Sequence, residues 1–205
     1  MKLRPAFIAV TIVAAGAAGA VMPASTAHAL TYMRIQIQNM NSGLCLAPFA
    51  ADGTPDDLVV QKPCSDYGVY LTRASEYMAV AVSDAPGAPM ELQTHAFYPY
   101  PEYFDQCLEV PAFSLVDGVA LSEHDCNGGP HQQWYVVHPH VPGDSRAAEY
   151  LRSSYQLRNV WSGKCIAIRD ADPYWLASAV QTSCGLGSDR LWWLLTPSGS
   201  PKWRG

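Results

Sequence analysis

Two kinds of apolar pattern run along this chain. The first is continuous, since from Ala6 to Met22 almost every residue is apolar. The second is short and alternating: Ile35 and Ile37 sit between Arg34, Gln36 and Gln38, and apolar positions return at Leu157 and Val160. Alternation over four or five positions predicts half-buried strands rather than helices, because successive side chains of a strand point to opposite faces. The chain holds 15 Gly, 16 Pro, 11 Tyr and 6 Trp, while charged residues make up only 15%. Short strands joined by many tight turns need this composition.

The continuous run reads as part of a secretory signal peptide over residues 1–29. Lys2 and Arg4 precede it, and Ala27-His28-Ala29 places small residues where a signal peptidase cuts, so cleavage is expected after Ala29. The alternative is an uncleaved anchor, because the run approaches the roughly 20 residues that span a bilayer. Its many Ala and Gly residues make it a weak one. The remaining 30–205 suffice for a single domain with its own core. Without Lys2 and Arg4 that stretch has 11 basic against 18 acidic residues, a formal charge near −7. Phosphate-rich partners need a cationic face, so neither nucleic acid nor an anionic membrane is expected to bind. A soluble, extracellular monomer is expected.

Spacing organises the rest. Cys45 and Cys64 are 19 residues apart, as are Cys107 and Cys126, and Cys165 and Cys184. Three equal spacings in order imply three copies of one unit, each closing its own loop in an oxidising compartment. A looser disulfide scaffold without symmetry is the alternative, and the equal spacings speak against it. The frame NMNSGLC before Cys45 returns as NVWSGKC before Cys165, and each first cysteine is followed by an aliphatic residue, Leu46, Leu108 or Ile166. After the second cysteines, Trp134 and Trp192 stand at the same offset, where a core role is expected. Units of this size with short strands cannot bury their apolar faces alone, so three copies point to one closed barrel with a shared core.

The SGxC frames, C-L-x-V at Cys107 to Val110, and C-x5-Q-x-W at Cys126 to Trp134 together resemble the ricin B-type lectin domain. That resemblance implies an all-β fold, a β-trefoil of three pseudo-symmetric repeats (about 33–90, 91–150 and 151–196), each with an intra-repeat disulfide. It also implies reversible binding of a neutral glycan without cofactor or metal. The family's acceptor carboxylate falls at Ala47, Glu109 and Ala167, its stacking aromatic at Lys62, His124 and Thr182, and its polar pair at Val69-Tyr70, His131-Gln132 and Asp189-Arg190. Only the second repeat keeps a full set, Glu109, His124, His131 and Gln132. The expected function is therefore a non-catalytic, secreted carbohydrate-binding protein with at most one family-like site.

The same residues allow a second reading, in which Gln132 bonds backbone and the histidines are solvated. The protein would then be a trefoil with decayed sugar sites that binds another protein, as an inhibitor, toxin accessory or adhesion factor. FYPYPEYF, Phe97 to Phe104, is the densest aromatic stretch and reads as a loop packed over a barrel rim, or else as a partner surface. Asp170 and Asp172 near Tyr174 and Trp175 read as a polar hairpin tip with packed aromatics, with a sugar or protein contact as the alternative; Asp52 with Asp56 could offer carboxylates in the first repeat. No G-x-S-x-G, H-E-x-x-H, phosphate loop or Cys-x-x-Cys is present, and His138-Pro139-His140 alone makes a weak metal site. Neither an enzyme nor a metalloprotein is expected.

Overall fold

The computed structural model describes residues 32–50, 56–64, 76–95, 105–141, 149 and 151–196. The segment read as a signal peptide, Asp52, the Val69-Tyr70 pair, the aromatic stretch from Phe97 to Phe104 and the tail from Pro197 lie outside these residues. Twelve strands follow one another in sequence: β1 (Tyr32–Asn39), β2 (Cys45–Pro48), β3 (Asp57–Lys62), β4 (Glu76–Ala81), β5 (Met90–His95), β6 (Asp105–Glu109), β7 (Ser122–Asp125), β8 (Gln133–Val137), β9 (Gln156–Asn159), β10 (Cys165–Ile168), β11 (Ala179–Thr182) and β12 (Trp192–Leu195). The architecture is all-β, as the alternation predicts.

Antiparallel pairing runs from β1 to β4, β5, β8 and β9 in turn. It returns through β12, which pairs with β1 and meets Tyr155, just ahead of β9, at Trp192. These six strands form a closed ring, which leaves no sheet edge among them. The other six form hairpins, β2 with β3, β6 with β7 and β10 with β11, each joined to a ring strand. The hairpins also pair among themselves, at Asp57 with Glu123, Leu58 with Ser122, Val60 with Ser178 and Ala120 with Val180.

One apolar cluster serves all of these elements. Ile35 and Ile37 of β1 enter it together with Leu46, Leu108 and Ile166, the residues that follow the first cysteines. Trp134 and Trp192 are fully buried, and each indole N–H donates to the carbonyl of such a residue, Leu108 at 2.9 Å and Ile166 at 3.1 Å. Burying the ring gains apolar area, and the carbonyl removes the penalty on its N–H. The alternating pattern understates burial in the hairpins, because β2 and β10 are buried at all four positions. Leu46, Ile166 and Ile168 of these strands meet the core, and Cys45 and Cys165 are bonded in disulfides.

The three bridges are Cys45–Cys64, Cys107–Cys126 and Cys165–Cys184, each spanning 19 residues. A loop of this length is stabilised by about 3 kcal/mol in the chain-entropy estimate. The recurring frame ahead of Cys45 and Cys165 is a turn built around one asparagine. The Oδ1 of Asn159 accepts the N–H groups of Trp161 and Ser162, and its Nδ2 donates to the carbonyls of His131 and Gln133. Asn39 does the same with Asn41, Ser42 and the Asp189 carbonyl. Gly43 and Gly163 follow at φ 71° and 67°, which a side chain would disfavour. The frame thus turns the chain into a hairpin and ties it to an earlier or later segment.

Asn159→Ala is expected to destabilise the protein by about 2–4 kcal/mol, at roughly 1 kcal/mol for each of its lost bonds. Urea unfolding would show this as a lower midpoint at constant slope. A loss under about 0.5 kcal/mol would mean that water replaces the side chain.

Candidate functional site

The second hairpin brings three of the four predicted site residues together. Glu109 ends β6 and is only 6% exposed. Its Oε2 accepts from Gln132 Nε2 at 2.9 Å and lies 3.3 Å from His131 Nε2. Gln132 also donates to the Asp125 carbonyl and accepts the Asn127 N–H, so its amide joins the site to the turn after Cys126. That turn is tight: a Cβ on Gly129 would meet His131 Nδ1 at 2.6 Å and Asn127 Oδ1 at 2.7 Å. Glycine is needed here by close approach. His124 stands apart, half-buried on β7 opposite Cys107, with no hydrogen bond or ring contact to the other three.

Two aromatic residues complete the arrangement, and the sequence pattern did not single them out. After Val110 the chain turns through Ala112 and Phe113, both left-handed at φ 51° and 53°. This puts the Phe113 ring 4.0 Å from that of His131. Trp161, from the frame that precedes Cys165, packs edge-on against Phe113 at 5.4 Å and donates its indole N–H to the Phe113 carbonyl at 2.8 Å. Both rings remain 46% exposed. The missed signal lay in the frame itself, where Trp161 holds the place that Asn41 holds in the other copy. A large ring in a polar turn is exposed for a reason other than core packing.

The third hairpin shows what the fold needs without a site. Its left-handed pair, Asp170 and Ala171, repeats that of Ala112 and Phe113, so this strain belongs to the framework. Asn41 donates to the Ala171 carbonyl as Trp161 does to that of Phe113, but no ring is present on either side. Ala167 replaces Glu109, and Asp189 pairs with Arg190 at 2.9 Å. Arg190 donates to the Ser183 carbonyl, taking over the bond that Gln132 makes to Asp125. Tyr174 and Trp175, expected to be packed, are instead 76% and 62% exposed. The backbone carbonyls of Asp172 and Tyr174 are held by Gln61 Nε2. Asp56 of the first hairpin serves the framework, its N–H donating to the Glu123 carbonyl.

No protein-family model and no curated protein sequence matches the chain. Solved structures do. A designed three-fold symmetric protein, ThreeFoil, aligns with a TM-score of 0.62 at 23% identity, over 78% of this chain and 96% of its own. The C-terminal half of an earthworm R-type lectin, solved with GalNAc, aligns at 0.52 with 9% identity, over 79% and 97%. The chain has the β-trefoil fold. A trefoil of this kind also occurs within longer chains, since an exo-β-1,3-galactanase from Clostridium thermocellum aligns at 0.61 with 20% identity, over 80% of this chain but 30% of its own.

Within the trefoil, Gln132 holds the Glu109 carboxyl as well as the turn. Gln132→Ala is expected to cost about 1–3 kcal/mol, because a buried acceptor loses its partner. The same change made in a Glu109→Ala background should cost less, and calorimetric melting of the four proteins of this cycle would show it. Equal costs in both backgrounds would mean that the two side chains are not coupled.

Proposed function

We propose that this protein is a secreted, non-catalytic, carbohydrate-binding β-trefoil of three pseudo-symmetric repeats with one working site, in the second repeat. The observation that carries this reading is a chain of contacts in the second hairpin: His131 lies 3.3 Å from the nearly buried Glu109 carboxylate and 4.0 Å from the ring of Phe113, which packs on Trp161, and both of these aromatic residues are exposed. A neutral sugar ring needs both features. Its hydroxyl groups require an acceptor that is already oriented, and its apolar C–H face requires an aromatic surface. The Gln132 bond and the His131 contact both fall on Oε2 of Glu109, which leaves Oε1 to accept hydroxyl groups. Phe113 and Trp161 supply the stacking surface that His124 was expected to supply. Gln132 and His131 keep the carboxyl in place, with His124 at the border of the site.

Several observations support the wider reading. The earthworm lectin of the same fold was solved with GalNAc bound. Three disulfides agree with export. Binding in this site is reversible and uses no metal or cofactor, and the protein acts as a monomer. A second reading, recognition of a protein partner, is favoured by the exposure of Tyr174 and Trp175 and by the alanines at 47 and 167.

A panel of immobilised glycans and insoluble polysaccharides tests the proposal. The protein is expected to be retained by at least one of them, and Glu109→Ala and Trp161→Ala should each weaken retention at least about tenfold, from the roughly 1.5–3 kcal/mol of a charge-assisted bond or a lost stacking surface. Trp175→Ala should leave it unchanged. Retention by no glycan would overturn the proposal in favour of a protein partner.

A further inference from the structure

Three residues occupy one position in the three hairpins. Gln61 lies opposite Leu46, Glu123 opposite Leu108 and Gln181 opposite Ile166. Their backbones do the same work. The Gln61 carbonyl accepts from Leu176 N–H, that of Glu123 from Asp56 N–H and that of Gln181 from Gly118 N–H, at 2.9, 2.7 and 2.8 Å. The three donors share a left-handed conformation, at φ 68°, 67° and 82°. Each hairpin thereby receives the loop of another in a cyclic order.

The side chains differ in one atom type. Gln61 Nε2 donates to the carbonyls of Asp172 and Tyr174, and Gln181 Nε2 to those of Ser114 and Val116. Glu123 has no N–H to donate, and it is only 3% exposed. Its Oε2 accepts from the Thr94 hydroxyl at 2.8 Å, while Oε1 has no hydrogen-bond partner among the described residues. No described cation forms a salt bridge with it, since Lys62 of β3 turns its ammonium to the Phe49 carbonyl at 2.7 Å. The other groups that face it are the buried Tyr77 hydroxyl of β4 and the Asp57 carboxylate of β3, which repels a second negative charge.

We propose that Glu123 is a neutral carboxylic acid in the folded protein, uncharged like the glutamines that hold its place in the other two hairpins, so that loss of this one proton loosens the hairpin assembly. Burial is the dominant influence on the group, and it raises the carboxyl from 4.5 to about 8, with the Thr94 bond and the nearby Tyr77 hydroxyl only partly offsetting it. The sign follows from linkage. Between these two values the unfolded chain has lost the proton and the folded chain has kept it, so stability falls as pH rises through the window. Below it the contribution is fully present. The inference is independent of sugar binding.

Denaturant unfolding of the protein and of Glu123→Gln between pH 4 and 9 tests it. Relative to the variant, the unfolding constant of the parent protein is expected to rise by up to about tenfold per pH unit inside the window and to level off above it. Parallel pH profiles for the two proteins would overturn the proposal. A second measurement does not depend on the variant folding: the infrared carbonyl band of a neutral carboxylic acid should be present in the parent protein at pH 6.5 and absent at pH 9.5. Its absence at pH 6.5 would equally overturn the proposal.

Discussion

Strands of four to eight residues cannot bury an apolar face on their own, and this limit governs the whole molecule. Each hairpin has to borrow the core of the others, so every segment must be held in register with segments far away in sequence. The structure solves this with polar side chains that reach across. Asn39 and Asn159 grip distant carbonyls, Trp134 and Trp192 grip the carbonyls beside the first cysteines, and Gln61 and Gln181 grip the loops of other hairpins. All of these groups are buried, where an unpaired polar atom costs more than a pair gains. Specificity of register is therefore secured by penalties on the alternatives as much as by the bonds themselves.

A binding surface on such a framework draws on groups that already serve it. Gln132 ties the turn after Cys126 and also orients Glu109, so the candidate site rests on a structural bond. In the third hairpin Arg190 keeps the structural bond and gives up the other task by pairing with Asp189. The turn geometry survives this exchange, while the acceptor and the aromatic pair do not. The third hairpin is complete without that carboxylate and those rings, so they are additions to the framework and not part of it.

Much of the architecture was legible in the residues. Equal cysteine spacing gave the bridges, alternating apolar positions gave strands, and the offset of Trp134 and Trp192 from cysteine gave their burial. Glu109, His131 and Gln132 were legible as a group because they lie close to the cysteines that position them. Phe113 and Trp161 were not, since their contact joins residues 48 apart that share no period, and it depends on two left-handed residues that no glycine marks. The exposure of Tyr174 and Trp175 was hidden for a similar reason: their loop is held by Gln61, from another hairpin. Sequence shows what a unit does for itself more readily than what one unit does for another.

Glu109 and Glu123 make the same point about chemistry. They lie on paired strands, Glu109 opposite Ser122 and Glu123 opposite Leu108, and both are nearly buried. Strand alternation sends them to opposite faces, and there the partners differ. Glu109 accepts from the amide of Gln132, with the imidazole of His131 3.3 Å away, surroundings that suit a carboxylate. Glu123 meets a threonine hydroxyl on one oxygen and finds an aspartate nearby, an environment that favours the neutral acid. Two glutamates one pleat apart thus meet unlike surroundings, one held by a side-chain amide and the other buried with one oxygen unpaired among the described residues. Residue type sets the possibilities at each place, and the number of N–H groups aimed at the carboxyl decides between them.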